Sequence, residues 1–147
     1  MCFVEASDGP RVMLFGPMEV EIQKLQQCFL NLSHGYEPVN LEKEEFVAPF
    51  GGIGVLARNT ETTSSVKQQK VSREGFVRRS DSPVLFDWRL STEGWDNLAS
   101  LVDGLIRSEL ASHQYLTRYP YEDAIVVVSK GEYSDDVLTG ITRSNTF

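Results

Sequence analysis

The chain has 147 residues, a length that suits one hydrophobic core, and we predict a single domain over residues 1–147. Hydrophobic residues make up 41% and charged residues 24%, which excludes a chain disordered throughout, and no apolar run approaches the roughly 20 residues of a membrane helix. The formal net charge of −7 excludes nucleic acid as a favoured partner, because phosphate backbones repel an acidic protein, and it favours a basic protein partner.

The first predicted elements are a strand and a helix. Residues 11–16 are a short apolar run that ends at a glycine, which predicts a buried strand. Apolar residues then recur at helical spacing and predict a helix from Pro17 to about Leu32. Its buried face is predicted to carry Ile22, Leu25, Cys28, Phe29 and Leu32. Residues 36–45 are predicted to be a loop.

The middle of the chain is predicted to be mostly strand. Residues 46–56 contain glycines that fit two short strands or one bent strand, and residues 59–72 fit a hairpin connection or a mobile loop. A short strand is predicted at 75–79. The clearest strand is 84–90, where Phe86 and Trp88 alternate with Asp87.

A second helix is predicted from an N-cap at Ser91 and Thr92 to about Leu110. Another ordered segment starts at His113, and a strand buried on both faces follows at 124–129. Residues 1–10 and 138–147 are expected to be frayed. We find no internal repeat. The order of elements predicts an α+β fold, with a mostly antiparallel sheet of about five to six strands and two main helices packed on one face.

The sequence offers little that suits catalysis or metal binding. His34 and His113 have no neighbouring metal ligand, and Cys28 is predicted to be a core residue, not a nucleophile. The glycines at 51–54 lack the lysine and hydroxyl residue of a phosphate-binding loop. We therefore predict a protein with no metal, no cofactor and no enzymatic activity.

Charge and cysteine content suggest where the protein acts. A basic segment at 58–79, interpreted as a solvated hairpin, lies between two acidic segments. The first ten residues lack the features of a secretory signal, and Cys2 and Cys28 suit two free thiols in a reducing compartment. We expect a cytoplasmic protein that does not associate with membranes.

Acidic and aromatic residues in the second half predict a surface that attracts a partner by charge and holds it with rings. The alternative is that the rings lie in the core and the acids are solvated. The candidate partner-binding residues are Asp87, Glu93, Asp96, Tyr115, Tyr121, Glu132, Tyr133, Asp135 and Asp136.

Three segments resemble a known protein class. They are Phe86-Asp87-Trp88-Arg89-Leu90-Ser91, then His113-Gln114-Tyr115-Leu116, then Val127-Val128-Ser129-Lys130-Gly131-Glu132-Tyr133. Over residues 84–133, this succession resembles small immunity proteins of bacterial polymorphic-toxin and contact-dependent growth inhibition systems. The resemblance implies a cytosolic, non-enzymatic inhibitor that binds the toxin domain of its own system.

Two other functions remain open. One is a different acidic protein-binding module, such as a phage anti-defence protein or an adaptor. The other is a small enzyme that uses Cys28, His113 or paired acids, which requires a cleft with convergent groups of shifted pKa.

Overall fold

The computed structural model describes residues 1–7, 9–16, 19–62, 74–117 and 122–131. The strands are β1 Cys2–Ala6, β2 Gly9–Gly16, β3 Val39–Asn40, β4 Gly54–Asn59, β5 Gly75–Asp81, β6 Val84–Leu90, β7 Ser112–Tyr115 and β8 Ile125–Lys130. The helices are α1 Glu19–Ser33 and α2 Thr92–Arg107, and a short 3-10 helix spans Leu41–Lys43. Neither α-helix in the described part of the chain is long and apolar enough to cross a membrane.

The strands form two four-stranded mixed sheets. The first has the order β1-β2-β8-β7 and the second the order β3-β4-β6-β5. In each sheet the central pair is parallel and both outer pairs are antiparallel. The α+β class and the two helices are confirmed, but the expected mostly antiparallel sheet of five to six strands is wrong. The parallel pairs join segments far apart in sequence, and local hydrophobic patterns carry no information about such pairing.

The chain repeats one arrangement of elements twice. The order β1-β2-α1-β3-β4 has the same form as β5-β6-α2-β7-β8. The first hairpin of each half pairs with the last two strands of the other half, so the halves are interlocked. This repeat is visible in the topology and not in the sequence, because the same layers are built from different apolar residues.

Aromatic side chains join the helices to the second sheet. Phe29 of α1 lies 5.5 Å from Trp88 and 5.4 Å from Trp95, measured between ring centroids. Trp88 of β6 lies 5.1 Å from Trp95 of α2, and Phe76 packs 5.4 Å from Trp88. All four side chains are buried. Three of these four pairs are edge-to-face, all except Phe29–Trp95, and such a pair contributes about 0.5–1.5 kcal/mol beyond its buried area.

Helix α1 has the predicted buried face, and helix α2 has the predicted start. Ile22, Leu25, Cys28, Phe29 and Leu32 are all buried, as predicted. The Ser91 side chain accepts a hydrogen bond from the Gly94 N–H at 3.1 Å, which confirms the N-cap of α2. The predicted end near Leu110 is three residues too late, because the helix stops at Arg107. Its last carbonyls are held by Lys130, whose Nζ donates to the carbonyls of Leu105, Ile106 and Ser108.

Several predicted bounds are wrong. Residues 1–10 were expected to be frayed, but β1 pairs with β2, Met1 is buried, and its amino group donates to the Ala48 carbonyl at 2.9 Å. The predicted loop at 36–45 contains β3 and the 3-10 helix. Between 46 and 56 only β4 forms, from Gly54 onward. These strands are short and gain their stability from distant partners, so local pattern reveals them poorly. The predicted frayed segment 138–147 lies outside the described residues.

Candidate functional site: a buried aspartate ringed by arginines

Asp87 lies in the middle of β6, on the face opposite Phe86 and Trp88. Its neighbours in register are Leu56 on β4 and Val77 on β5. We call this face, which carries Leu56, Val77, Leu85, Asp87 and Arg89, the outer face of the second sheet. The sequence predicts Asp87 as an exposed partner-binding acid, and this is wrong: only 1% of the residue is exposed.

Three arginines cover the Asp87 carboxylate. Arg58 donates from Nε to Oδ1 at 2.8 Å and from Nη2 to Oδ2 at 2.7 Å. Arg79 donates from Nη2 to Oδ2 at 2.5 Å, and the Nε of Arg89 lies 3.7 Å from Oδ2. The two-point contact of Arg58 matches the fork of a guanidinium to the two oxygens of a carboxylate.

The sheet register explains why these arginines converge. Arg58 lies opposite Arg89 across the parallel pair β4–β6, two residues beyond the row of Asp87. The register of β5 against β6 shifts between Arg78 and Ser80, and Arg79 is the residue left without a register partner. Such bulges turn a side chain to a new direction, and here the Arg79 guanidinium reaches Asp87.

The electrostatics of the cluster favour an ionised aspartate. Burial raises the pKa of Asp87, but hydrogen bonds and positive charge from Arg58 and Arg79 outweigh burial, so the pKa is lowered overall. Within the described residues, Asp87 is the only acid within 4.0 Å of these three guanidiniums. The cluster therefore holds more positive charge than Asp87 neutralises.

A depression of about 260 Å³ opens beside this cluster. Arg58, Arg79 and Asp87 line one part of it, and Leu56 and Leu85 form apolar walls. Asn40 and Glu42 add polar groups to the lining. The Glu42 Oε2 accepts a hydrogen bond from the Val55 N–H at 2.9 Å, which fixes that carboxylate at the edge of β4.

Two of the predicted partner-binding acids are exposed at the start of α2. Glu93 and Asp96 lie in its first two turns, and no described lysine or arginine lies within 4.0 Å of either carboxylate. Glu61 and Glu74 lie at the same end: the Thr92 N–H donates to Glu61 at 3.1 Å and the Ser91 N–H donates to Glu74 at 2.7 Å. Hydrogen bonds from Thr92 lower the pKa of Glu61. We call these four residues the acidic end of α2.

Of the remaining predicted partner residues, the structure describes Tyr115 alone. Tyr115 is exposed on β7, with its ring 5.5 Å from that of His113. The others fall outside the described residues: Tyr121, Glu132, Tyr133, Asp135 and Asp136.

The adjacent acids Glu122 and Asp123 hold strands together. Glu122 accepts a hydrogen bond from the Phe76 N–H, and Asp123 accepts one from the Arg78 N–H at 2.8 Å. Burial raises the pKa of Glu122, and the hydrogen bond from Phe76 opposes that effect. These carboxylates tie the segment before β8 to the edge of β5, a structural role.

Cys28 is a buried thiol. Burial, and to a lesser extent the charge of Glu44, raise its pKa to about 11, which disfavours the reactive thiolate. Within the ranges that the structure describes, no three histidine, cysteine or acidic side chains are grouped in a way that could hold a metal ion.

Sequence reasoning missed the arginines at the site. The prediction of a solvated hairpin over the basic segment 58–79 is wrong for its two ends, because Arg58 on β4 and Arg79 on β5 both contact Asp87. Residues 63–73, between these ends, lie outside the described residues. The spacing of Asp87 and Arg89 on one face of a strand was a usable signal. The arginines that the neighbouring strands contribute could not be predicted, because their position next to Asp87 depends on the register of the sheet.

Comparison with protein-family models, with curated proteins and with solved structures finds no match for this chain.

Proposed function

We propose that this chain is a non-enzymatic binding protein that binds and neutralises a basic toxin domain, as the immunity proteins it resembles do. The observation that supports this proposal is the acidic end of α2. Four carboxylates lie there, two of them on backbone N–H groups of the helix start and two exposed without a described counterion. The negative electrostatic potential of these carboxylates attracts a basic protein surface and speeds its association with this chain.

The same helix face also offers an apolar contact. Glu93, Asn97 and Leu101 follow one another at a spacing of four residues and so share one face of α2. Leu101 is 40% exposed, although it is a large apolar side chain. Interfaces combine apolar contacts at the centre with polar and charged residues at the rim, and this face has both.

The test uses the product of the gene immediately upstream. Its C-terminal ~150 residues, the size of one domain, would be titrated with this protein by calorimetry at a low and a high salt concentration. We expect one-to-one binding that weakens as salt rises, because exposed charges are screened. The double variant Glu93→Gln with Asp96→Asn should lower the association rate about tenfold at low salt.

A matched control removes two other exposed acids, through Glu45→Gln with Glu109→Gln. It changes the net charge by the same amount away from the start of α2, and it should leave the association rate within about twofold. Equal losses in both double variants would refute the acidic end of α2 as the binding surface. No binding at micromolar concentrations would refute the immunity function and favour an adaptor or anti-defence protein.

A further inference from the structure

We propose that the depression around Asp87 on the outer face of the second sheet binds a small organic molecule through an oxyanion group, a phosphate or a carboxylate. This site is independent of the acidic end of α2, so either proposal can fail without the other.

The arginines have unused hydrogen-bond donors. Asp87 takes two N–H groups of Arg58 and one of Arg79, and its carboxylate lies 3.7 Å from the Nε of Arg89. Each guanidinium carries five N–H groups. In the described part of the chain, no other carboxylate lies within 4.0 Å of these side chains. Arg58 and Arg79, which line the depression, therefore keep N–H groups for a ligand, whereas Arg89 is not part of the lining.

The buried aspartate makes the cluster suitable for an anion. Three guanidiniums repel one another, and the single charge of Asp87 offsets only part of that repulsion. A bound oxyanion would supply the missing negative charge. Because Asp87 already fixes Arg58 and Arg79, a ligand would meet donors that are ordered in advance, which lowers the entropic cost of binding.

The three arginine side chains differ in their exposure to solvent, and therefore in how well a ligand could reach them. The side chain of Arg89 is 16% exposed and that of Arg58 is 30% exposed, whereas that of Arg79 is 53% exposed. Arg79 therefore has the most donor surface facing solvent. It is the residue expected to contact the ligand most fully.

The rest of the depression indicates an organic ligand in preference to a bare ion. Leu56 and Leu85 offer apolar contact beside the arginines, and Asn40 and Glu42 add polar groups to the lining. Glu42 uses Oε2 for the Val55 N–H, which leaves Oε1 to accept a hydroxyl or amine of the ligand. A volume of about 260 Å³ is below the range of sites for drug-sized ligands, so the expected ligand is a small metabolite.

The test is a titration of the whole chain, labelled with ¹⁵N, with three probes at low ionic strength. The probes are inorganic phosphate, pyrophosphate and citrate, and sodium chloride at matched ionic strength is the reference. We expect saturable shifts of amide signals on β4, β5 and β6. Saturation by phosphate or pyrophosphate identifies a phosphate ligand, and saturation by citrate alone identifies a carboxylate ligand.

Arg79→Gln tests the assignment of the site. It should weaken binding about tenfold or more, the expected effect of losing one charge-assisted hydrogen-bonding group. The control is Arg107→Gln, which removes the same charge from an arginine on α2 that pairs with Asp103 at 2.8 Å. The control should bind as the unchanged protein does. Unchanged tryptophan fluorescence in both variants shows that they are folded.

Three results would overturn the proposal. The first is the absence of saturable shifts with every probe up to a concentration of ~10 mM. A site that is not filled at that concentration binds more weakly than ordinary ligand sites do. The second is equal weakening in Arg79→Gln and Arg107→Gln, which would indicate a general charge effect. The third is saturable shifts confined to elements other than β4, β5 and β6.

Discussion

Replacing Asp87 with asparagine removes the one negative charge that holds three arginines on the outer face of the second sheet. The side chain keeps its size, so the change isolates charge from packing. Asparagine retains one oxygen that can accept an N–H, and its amide nitrogen faces donors where Asp87 had an acceptor. We expect Asp87→Asn to destabilise the fold.

The magnitude follows from the contacts. Asp87 accepts three hydrogen bonds from Arg58 and Arg79, and a charge-assisted hydrogen bond contributes about 1.5–3 kcal/mol. Breaking a fully buried ion pair costs about 3–5 kcal/mol. Water reaches Arg58 and Arg79, whose side chains are 30% and 53% exposed, and it offsets part of that cost. We expect the free energy of unfolding to fall by about 2–3 kcal/mol.

The difference should also depend on pH. The folded-state pKa of Asp87 is lowered from its ordinary value of 3.8, so the carboxylate stabilises the fold fully above that value. The contribution is lost as the pH falls through the lower folded pKa. The gap between the unchanged protein and Asp87→Asn should be constant above about pH 5 and should narrow below about pH 4.

Urea unfolding at several pH values measures this effect. Trp88 and Trp95, the two tryptophans of the chain, are both buried and report unfolding by fluorescence. Asp96→Asn is the matched control, because it removes an exposed acid, and it should change stability by less than about 0.5 kcal/mol. A loss below about 0.5 kcal/mol for Asp87→Asn at pH 7 would refute the view that Asp87 organises the arginines.

Two further predictions concern Lys130, at the end of α2, and the thiol of Cys28. Lys130→Met should lower the free energy of unfolding by about 1.5–3 kcal/mol, because three carbonyls at the end of α2 lose a charged donor. In the same urea titration, the exposed control Lys24→Met should stay within about 0.5 kcal/mol of the unchanged protein, and equal effects would contradict this role. Cys28, whose pKa burial raises to about 11, should be alkylated at pH 8 at least about a hundredfold more slowly in the folded protein than in urea. Mass spectrometry of the alkylated peptides measures this rate, and similar rates in both states would show that Cys28 is accessible.

Local pattern predicted the two helices well. In each of α1 and α2 the apolar residues recur at helical spacing within one continuous segment of about four turns. The buried face can therefore be predicted from that segment alone. The strand at β6 was predicted for the same reason, since Phe86 and Trp88 alternate with Asp87 and Arg89. The sequence analysis did not predict β1 and β3, which are short and become stable only through pairing with another strand.

The candidate site could be predicted only in part. The sequence identifies Asp87 as a polar residue on the face away from the core, and this is correct. It also suggests that such an acid would be free for a partner, because alternation predicts solvent on that face. Arg58 and Arg79 exclude the solvent instead. The position of Arg58 depends on the parallel pairing of β4 with β6, and that of Arg79 depends on the register shift between β5 and β6.

The sequence by itself determined the α+β class, the helices and the inward faces of their side chains, because these depend on periodicity within one segment. Only the tertiary structure decided the two mixed sheets, the interlocked halves and the arginines around Asp87. Each of these depends on which distant strands pair and in what register. That choice is made by the packing of the whole core, around Phe29, Trp88 and Trp95, and not by the residues of any one strand.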